Sequence, residues 1–403
     1  MFESVKPKSY DSVMNTNIKK TIGFVLVIAL LIGAYIARGV RPNAENANGS
    51  SVKIGGAFAL SGDSSVTSWG EAGKNGAQMA VYDINARGGI NGQKVELVIE
   101  DMQSTSRGSV SAVSKLINVD HVTAIVGPSW LDVYQGAETL SSTKNIVMIT
   151  PDGGVEAING TTNGKTIHKN VFSTWYRTDV KARQIVGYMA AHGVKRLAGL
   201  YANDSYYTDF SARVESYAKE KGIEIVDREL IGENATDVRT LTLKIKNSNP
   251  DAVFFGFYDE KNIFNFLKIH KETFANVPLY GDEFVHDHYM RPEYKDLYEG
   301  TVYFHATAPQ SNFVLAYKAR YGIEPVFGAG TAYDATKIIA KMLADKGINS
   351  DSNTPDYDAY LRNTSFDTVS YGRMTFDGIG GVKTANNQFD LWKVVDNRIV
   401  KVN

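Results

Sequence analysis

The stretch VYDINARGGINGQKVELVIED, residues 81–101, decides how the chain is to be read. Val81 and Ile84 continue an apolar helical spacing that starts at Ala77, Met79 and Ala80. The pattern predicts a helix over residues 72–86 that stops at Gly88 or Gly89. Glycine takes the left-handed conformation of a helix C-cap without a Cβ penalty. The NGQ that follows is a tight-turn signal, and KVELVIED then alternates like a strand. A helix that turns back into a strand is half of a βαβ unit. The strand ends at Glu100 and Asp101. In open parallel sheets, the loops beyond the carboxyl ends of the strands build the ligand site.

Working outward, the same alternation repeats. Residues 52–60 (VKIGGAFAL) read as a strand before the helix. A helix near 107–119, the strand VTAIVG, a helix near 131–142 and the strand IVMITP come after it. A second run begins with NVFSTW at 170–175. It continues through RLAGLYA, IEIVDREL, DAVFFGFY and VPLYGDE, with helical segments between. Strands alternating with helices imply parallel sheet with crossover helices. Two such runs of similar length predict an α/β protein of two lobes.

The first fifty residues are a different material. Residues 21–37, TIGFVLVIALLIGAYIA, form an apolar run without a charge. Lys19 and Lys20 precede it; Arg38 and Arg41 follow. A bilayer core takes roughly 17–25 helical residues, so the run is just long enough to span. A cleavage site ending at Ala37 would carry bulky Tyr35 at its minus-three position, which disfavours removal. The expectation is an uncleaved signal anchor, with a cleaved signal as the alternative. Lys6, Lys8, Lys19 and Lys20 would keep residues 1–20 cytoplasmic. Residues 38–51, polar and broken by Pro42, read as a linker. Everything beyond would be exported, membrane-anchored or, after cleavage, secreted or periplasmic.

Of 43 Lys/Arg and 44 Asp/Glu, the exported part keeps 37 and 41, a formal net of −4. That balance, with no long basic run, points away from nucleic acid. The chain has no cysteine, which excludes a disulfide framework, a Cys-based zinc site, a catalytic thiol and a lipidated N-terminal cysteine. GTTNGKT at 160–166 nearly spells a phosphate loop, but only three residues separate Gly160 from Gly164 where four are needed. EFVHDH offers Glu283, His286, Asp287 and His288 to a metal, or as loop residues at a cleft rim. GPS around Ser129 lacks the closing glycine of a nucleophile elbow. No catalytic constellation, cofactor or metal is expected.

KIGGAFALSGDSSVTSWGEAGKNGAQMAVYDINARGGINGQKVELVIEDMQS, AIVGPSW, IVMITPDGG, GTAYDATKIIAKML and GRMTFDGIGG occur in that order along the chain. In order and spacing they resemble the leucine/isoleucine/valine-type solute-binding proteins of ABC transporters, over essentially everything from Val52 onward. The resemblance implies a type I periplasmic-binding fold: two α/β lobes, three crossover strands and a ligand clamped in the cleft. It implies crossings near 173–176, 303–307 and 361–371. Lobe 1 would take residues 52–174 and 304–362, and lobe 2 residues 175–303 and 363–403.

The resemblance also implies site residues. Trp69 stands where the family has an aromatic wall over the ligand; a buried staple at a helix start is the alternative. Ser129 precedes Trp130 and Leu131, which occupy positions where amino-acid binders present hydroxyls to a carboxylate. Asp152, Gly153 and Gly154 follow the next strand, with Gly154 at the usual threonine position. Lost hydroxyls and an added Asp152 charge weaken a carboxylate site. In lobe 2, Tyr207 takes the aromatic position and Tyr258 lies just past a strand end. Glu283 stands where some relatives keep an acid for the ligand ammonium. Tyrosine offers flat apolar area with a polar handle. For the tyrosines ordinary packing is the alternative reading; for Glu283 it is a solvated rim charge. Read as a free acid, Glu283 should accept replacement by Gln with lost affinity and little change in stability.

The expected function is extracytoplasmic binding of a small-molecule solute, an amino acid, amide or amine, for delivery to an ABC permease. A ligand-sensing ectodomain with a separate signalling partner is the alternative. A monomer or weak oligomer is expected.

Overall fold

The computed structural model describes residues 51–402, apart from 63, 130–135, 156–158, 160–167, 233–234, 236, 290–293, 327, 349–355 and 387. The apolar run at 21–37 lies outside the described residues. Among the described residues, no helix is long and apolar enough to cross a membrane.

The opening stretch folds as its residues dictate. Helix α1 (Ser64–Ala86) gives way to strand β2 (Val95–Asp101), which lies parallel to β1 (Val52–Phe58). Gly88, Gly89 and Gly92 have φ of 98°, 77° and 86°. The Gly89 N–H donates to Ile84 O at 3.0 Å, closing the helix. Asn85 then pins the turn: its Nδ2 donates to Val95 O, and its Oδ1 accepts from Val95 N, both at 2.8 Å. One side chain so fixes where the strand begins relative to the helix.

Helix α1 starts at Ser64, well before the 72 that its apolar spacing predicts. Serine, threonine and glycine in SSVTSWGEAG are weak helix formers, and their local preference is overridden by packing. Val66 and Gly70 are buried on the extra turns. A Cβ at Gly70 would run into the Ala59 carbonyl, so only glycine lets the helix lie this close to the loop after β1.

The first sheet is parallel throughout, in the order β2-β1-β3-β4-β5, with β3 Ala124–Val126, β4 Val147–Thr150 and β5 Val171–Ser173. Helices α2 (Ser106–Asn118) and α3 (Ala137–Thr143) belong to this run. A second sheet runs β15-β14-β10-β9-β8-β6-β7. Its parallel part is β6 (Arg196–Ala202), β7 (Glu224–Ile231), β8 (Ala252–Gly256), β9 (Leu279–Gly281) and β10 (Val302–Ala306). The strands β14 (Phe389–Val395) and β15 (Arg398–Val402) extend it antiparallel, which corrects the expectation of a purely parallel second sheet. The two-residue turn between them, Asp396 and Asn397, has positive φ at both positions, as a hairpin turn requires.

Helices α4 (Thr178–Ala191), α5 (Ser205–Glu220), α6 (Val238–Asn247), α7 (Glu260–Thr273) and α8 (Phe284–Tyr289) alternate with the second set of strands. Helices α9 (Ser311–Tyr321) and α10 (Ala329–Lys346) return to the first lobe. There Ala72 and Met79 of α1 share an apolar cluster with Phe313, Tyr317 and Ala329. After α11 (Tyr357–Asn363) comes a small antiparallel sheet of β11 (Phe366–Thr368), β12 (Gly372–Phe376) and β13 (Val382–Thr384). Ser173 N donates to Gly380 O at 2.9 Å, and Phe172 packs on Phe376, so this sheet lies against β5. The architecture is α/β and two-lobed.

Candidate functional site

In the first lobe, the loops after β1, β3 and β4 meet. Trp69, half-buried in α1, is held there by the close seat of Gly70 on Ala59. It lies inside the helix and not at its start, so a staple at the helix terminus is not its role. Gly328, with φ +83°, lies beside it: a Cβ there would stand 3.6 Å from Trp69 O and 3.7 Å from Asp152 Oδ2. Trp69 and Asp152 are thereby brought to one place, and Asp152 is half-buried. Gly153 and Gly154 are buried. The Gly153 carbonyl accepts from Ser173 Oγ at 2.6 Å, and Thr150 Oγ1 donates to Pro128 O at 2.6 Å. These two bonds tie the loops after β3 and β4 to the sheet. Ser129 is fully buried, and its Oγ has no hydrogen-bond partner among the described residues. Trp130 and Leu131 lie outside the described residues.

In the second lobe, Asp204 caps α5 by accepting from Tyr207 N at 2.8 Å, which aims Tyr207 inward. Tyr207 is fully buried and its hydroxyl donates to Asp282 Oδ2. Burial, with Asp282 beside it, pushes the Tyr207 hydroxyl well above the ordinary tyrosine range. Asp282 Oδ1 accepts from Phe284 N at 3.1 Å. Burial, reinforced by neighbouring Glu283, raises the Asp282 carboxyl well above the usual range and favours its protonated form.

Tyr258, 37% exposed, packs on Tyr207 with ring centroids 5.2 Å apart. It meets Phe284 edge-on at 5.0 Å. Phe284 in turn stacks on Trp69 at 5.4 Å with planes 30° apart. An unbroken aromatic line therefore runs from α1 of the first lobe to the strand ends of the second. Each such pair is worth about 0.5–1.5 kcal/mol beyond the area it buries.

Glu283 is 3% exposed and is not a rim charge. Its Oε1 receives Lys181 Nζ at 2.6 Å, and Lys181 is 0% exposed. Lys181 Nζ also donates to the Tyr206 hydroxyl at 3.0 Å. Around that ammonium stand the rings of Trp175, Tyr206 and Phe389 at 5.2–5.3 Å, and Phe304 at 5.7 Å. Glu283 Oε2 is buried without a hydrogen-bond partner among the described residues. The pair changes the expectation for Glu283: its charge is already matched by the protein.

His286 Nδ1 lies 3.0 Å from the Tyr303 hydroxyl, and its ring packs on His305 at 4.4 Å. Burial pushes His286 down to about 4 and also lowers His305. Of the EFVHDH stretch, Glu283 and His286 thus turn to different partners, and the side chains of Asp287 and His288 lie outside the described residues. Among the described residues no group of three metal-binding side chains forms. The phosphate-loop-like stretch 160–166 also lies outside them.

Sequence reasoning missed Lys181, Tyr206, Asp282 and Phe284. One signal for Lys181 was present. It falls on the buried stripe of α4, with Thr178, Ala182, Ile185, Val186 and Met189. A lysine on an apolar stripe needs a buried partner.

Comparison with known proteins bears on what this cleft belongs to. The chain is 25% identical over 340 residues to the Leu/Ile/Val-binding protein BraC3 of Rhizobium johnstonii, covering 83% of this chain and 90% of the relative. It is 26% identical over 329 residues to a leucine-, isoleucine-, valine-, threonine-, and alanine-binding protein of Pseudomonas aeruginosa, covering 79% and 84%. An ABC transporter substrate-binding protein from Desulfitobacterium hafniense, solved in complex with Leu, shares the fold with a TM-score of 0.68 at 24% identity. That likeness covers 88% of this chain and all of the other. The family profile described as periplasmic binding protein matches residues 51–397, so the chain belongs to that family.

Proposed function

We propose that the protein is an extracytoplasmic solute receptor that closes its two lobes on a small polar molecule and delivers it to an ABC permease. The aromatic line from Trp69 through Phe284 and Tyr258 to Tyr207 carries this reading, because it joins the two lobes across the strand-end loops. Flat rings on both sides of a cleft suit a compact organic solute. Ser129 Oγ and Glu283 Oε2, both buried and without a hydrogen-bond partner among the described residues, add polar groups to the loops after β3 and β9. The names of the relatives favour an amino acid or a close analogue. Trp69, Ser129, Trp130, Leu131, Asp152, Gly153, Gly154, Tyr207, Tyr258 and Glu283 are the proposed ligand-binding residues.

Mass spectrometry under native conditions tests the reading. The exported domain, purified from its host, is expected to carry a small organic solute of defined mass. An empty protein whose melting temperature no amino acid, amide or amine shifts would overturn it. Residues 21–37 are proposed to anchor the chain in the membrane. The protein should then fractionate with membranes and keep its N-terminal methionine; a soluble form beginning between 37 and 51 would refute the anchor.

A further inference from the structure

We infer that Lys181 sets the ligand class: the group that meets Glu283 is an uncharged hydrogen-bond donor, an amide or hydroxyl, and not an ammonium. The inference rests on the receptor reading above and narrows it.

Glu283 has two oxygens with different fates. Oε1 is taken by Lys181 Nζ at 2.6 Å; Oε2 is buried and unmet among the described residues. A buried carboxylate oxygen without a donor is a standing cost, so a ligand donor that reaches it is favoured. The net charge there decides which donor. Lys181 and Glu283 cancel; both are buried, and packed aromatic rings surround the Lys181 ammonium. An ammonium on Oε2 would put two cations on one carboxylate, in a site where water screens neither. A hydroxyl or amide N–H meets the same oxygen and brings no charge.

Asp282, next to Glu283 in the chain, is a buried group able to balance a second cation. Both its oxygens are engaged, by Tyr207 OH and Phe284 N. Burial and the adjacent Glu283 hold it toward its neutral form. A cationic ligand balanced by Asp282 would have to strip its proton, which would appear as proton release on binding.

Calorimetry on matched probe pairs tests this. The pairs are leucine with 2-hydroxy-4-methylpentanoate, phenylalanine with 3-phenyllactate, and benzylamine with benzamide. In the wild type, the neutral-donor member of any pair that binds should be at least tenfold tighter, with no proton release across buffers of different ionisation enthalpy. Lys181→Met removes the cation and keeps the apolar stem; it should favour the amine member at least tenfold relative to wild type. The double variant Lys181→Met with Glu283→Gln guards against a single variant that fails to fold. It restores net neutrality and should keep the wild-type preference. Tighter binding of the amine by the wild type, or an amine preference in the double variant, would overturn the inference alone. Silence of all six probes, with nothing carried from the host, would overturn the receptor reading and this inference with it.

Discussion

Lys181 and Glu283 stand 102 positions apart in the chain and 2.6 Å apart in space. Removing one member of a buried pair strands the other charge in a poorly solvated place, which costs about 3–5 kcal/mol. Replacing both by uncharged residues of similar volume is far milder. Lys181→Met is therefore expected to lower the urea unfolding free energy by about 3–5 kcal/mol. The double variant with Glu283→Gln should recover most of the loss. Glu283→Gln alone should destabilise too, contrary to what a rim acid would do. His286 provides a second test at this scale. Its folded pKa, about 4, lies below the ordinary 6.5. Between those values the unfolded chain binds a proton that the folded protein does not, so its contribution is full above pH 6.5 and is lost as pH falls toward 4. Asp334 acts in the opposite sense. Burial pushes it up to about 7, so the native state holds a proton that the unfolded chain has released. Its contribution therefore weakens as pH rises from about 4 to 7. The comparison of wild type with His286→Gln cancels Asp334 and isolates the histidine. The stability difference between them should shrink as pH falls from 7 to 4.5 in urea titrations; a constant difference would contradict the assignment.

At the scale of the element, α1 carries the first lobe's part of the cleft. Val81 and Ile84 are buried on one face, and burying such side chains contributes about 1.5–3 kcal/mol each. Its other determinant is the absence of side chains. Gly70 admits the Ala59 carbonyl, and Gly76 likewise admits the carbonyl of Ala329 in α10. Gly70→Ala should push α1 off the loop after β1 and displace Trp69 from Phe284. The expected cost is about 1–3 kcal/mol, with weaker solute binding. Gly88→Ala is the matching control: nothing lies within 4 Å of its added Cβ, so only the strain of φ +98° is felt. Thermal melts and calorimetry on both variants separate packing from backbone strain. The C-terminal boundary of α1 was legible because Gly88, Gly89 and the NGQ turn act locally. Its true start at Ser64 was not, because the seat for Gly70 is a backbone contact with Ala59 in the preceding loop, which no spacing of apolar residues reveals.

At the scale of the whole molecule, the two lobes touch through Trp69 and Phe284 across the strand-end loops. A ligand shifts an open–closed equilibrium only by its differential affinity for the two forms. Small-angle scattering on the exported domain should give a smaller radius when the co-purified solute is present than after it is stripped. Equal radii despite tight binding would mean that the lobes do not move as hinged bodies. Phe284→Ala removes that ring contact and should leave the stripped protein more open by the same measurement.

The alternation of strands and helices, the glycine turns and the apolar stripes were determined by the sequence itself, because each is a local pattern of period two or 3.6. The family resemblance carried by its ordered motifs likewise needed no coordinates. The pairing of Lys181 with Glu283, of Tyr207 with Asp282 and of Trp69 with Phe284 was decided only by the tertiary structure. So was the antiparallel pairing of β14 with β10 on the second sheet. Each joins residues far apart in the chain, where no spacing rule operates. A charged side chain in sequence carries no mark of whether it will meet water, a ligand or another buried charge; that depends on which elements the fold packs around it.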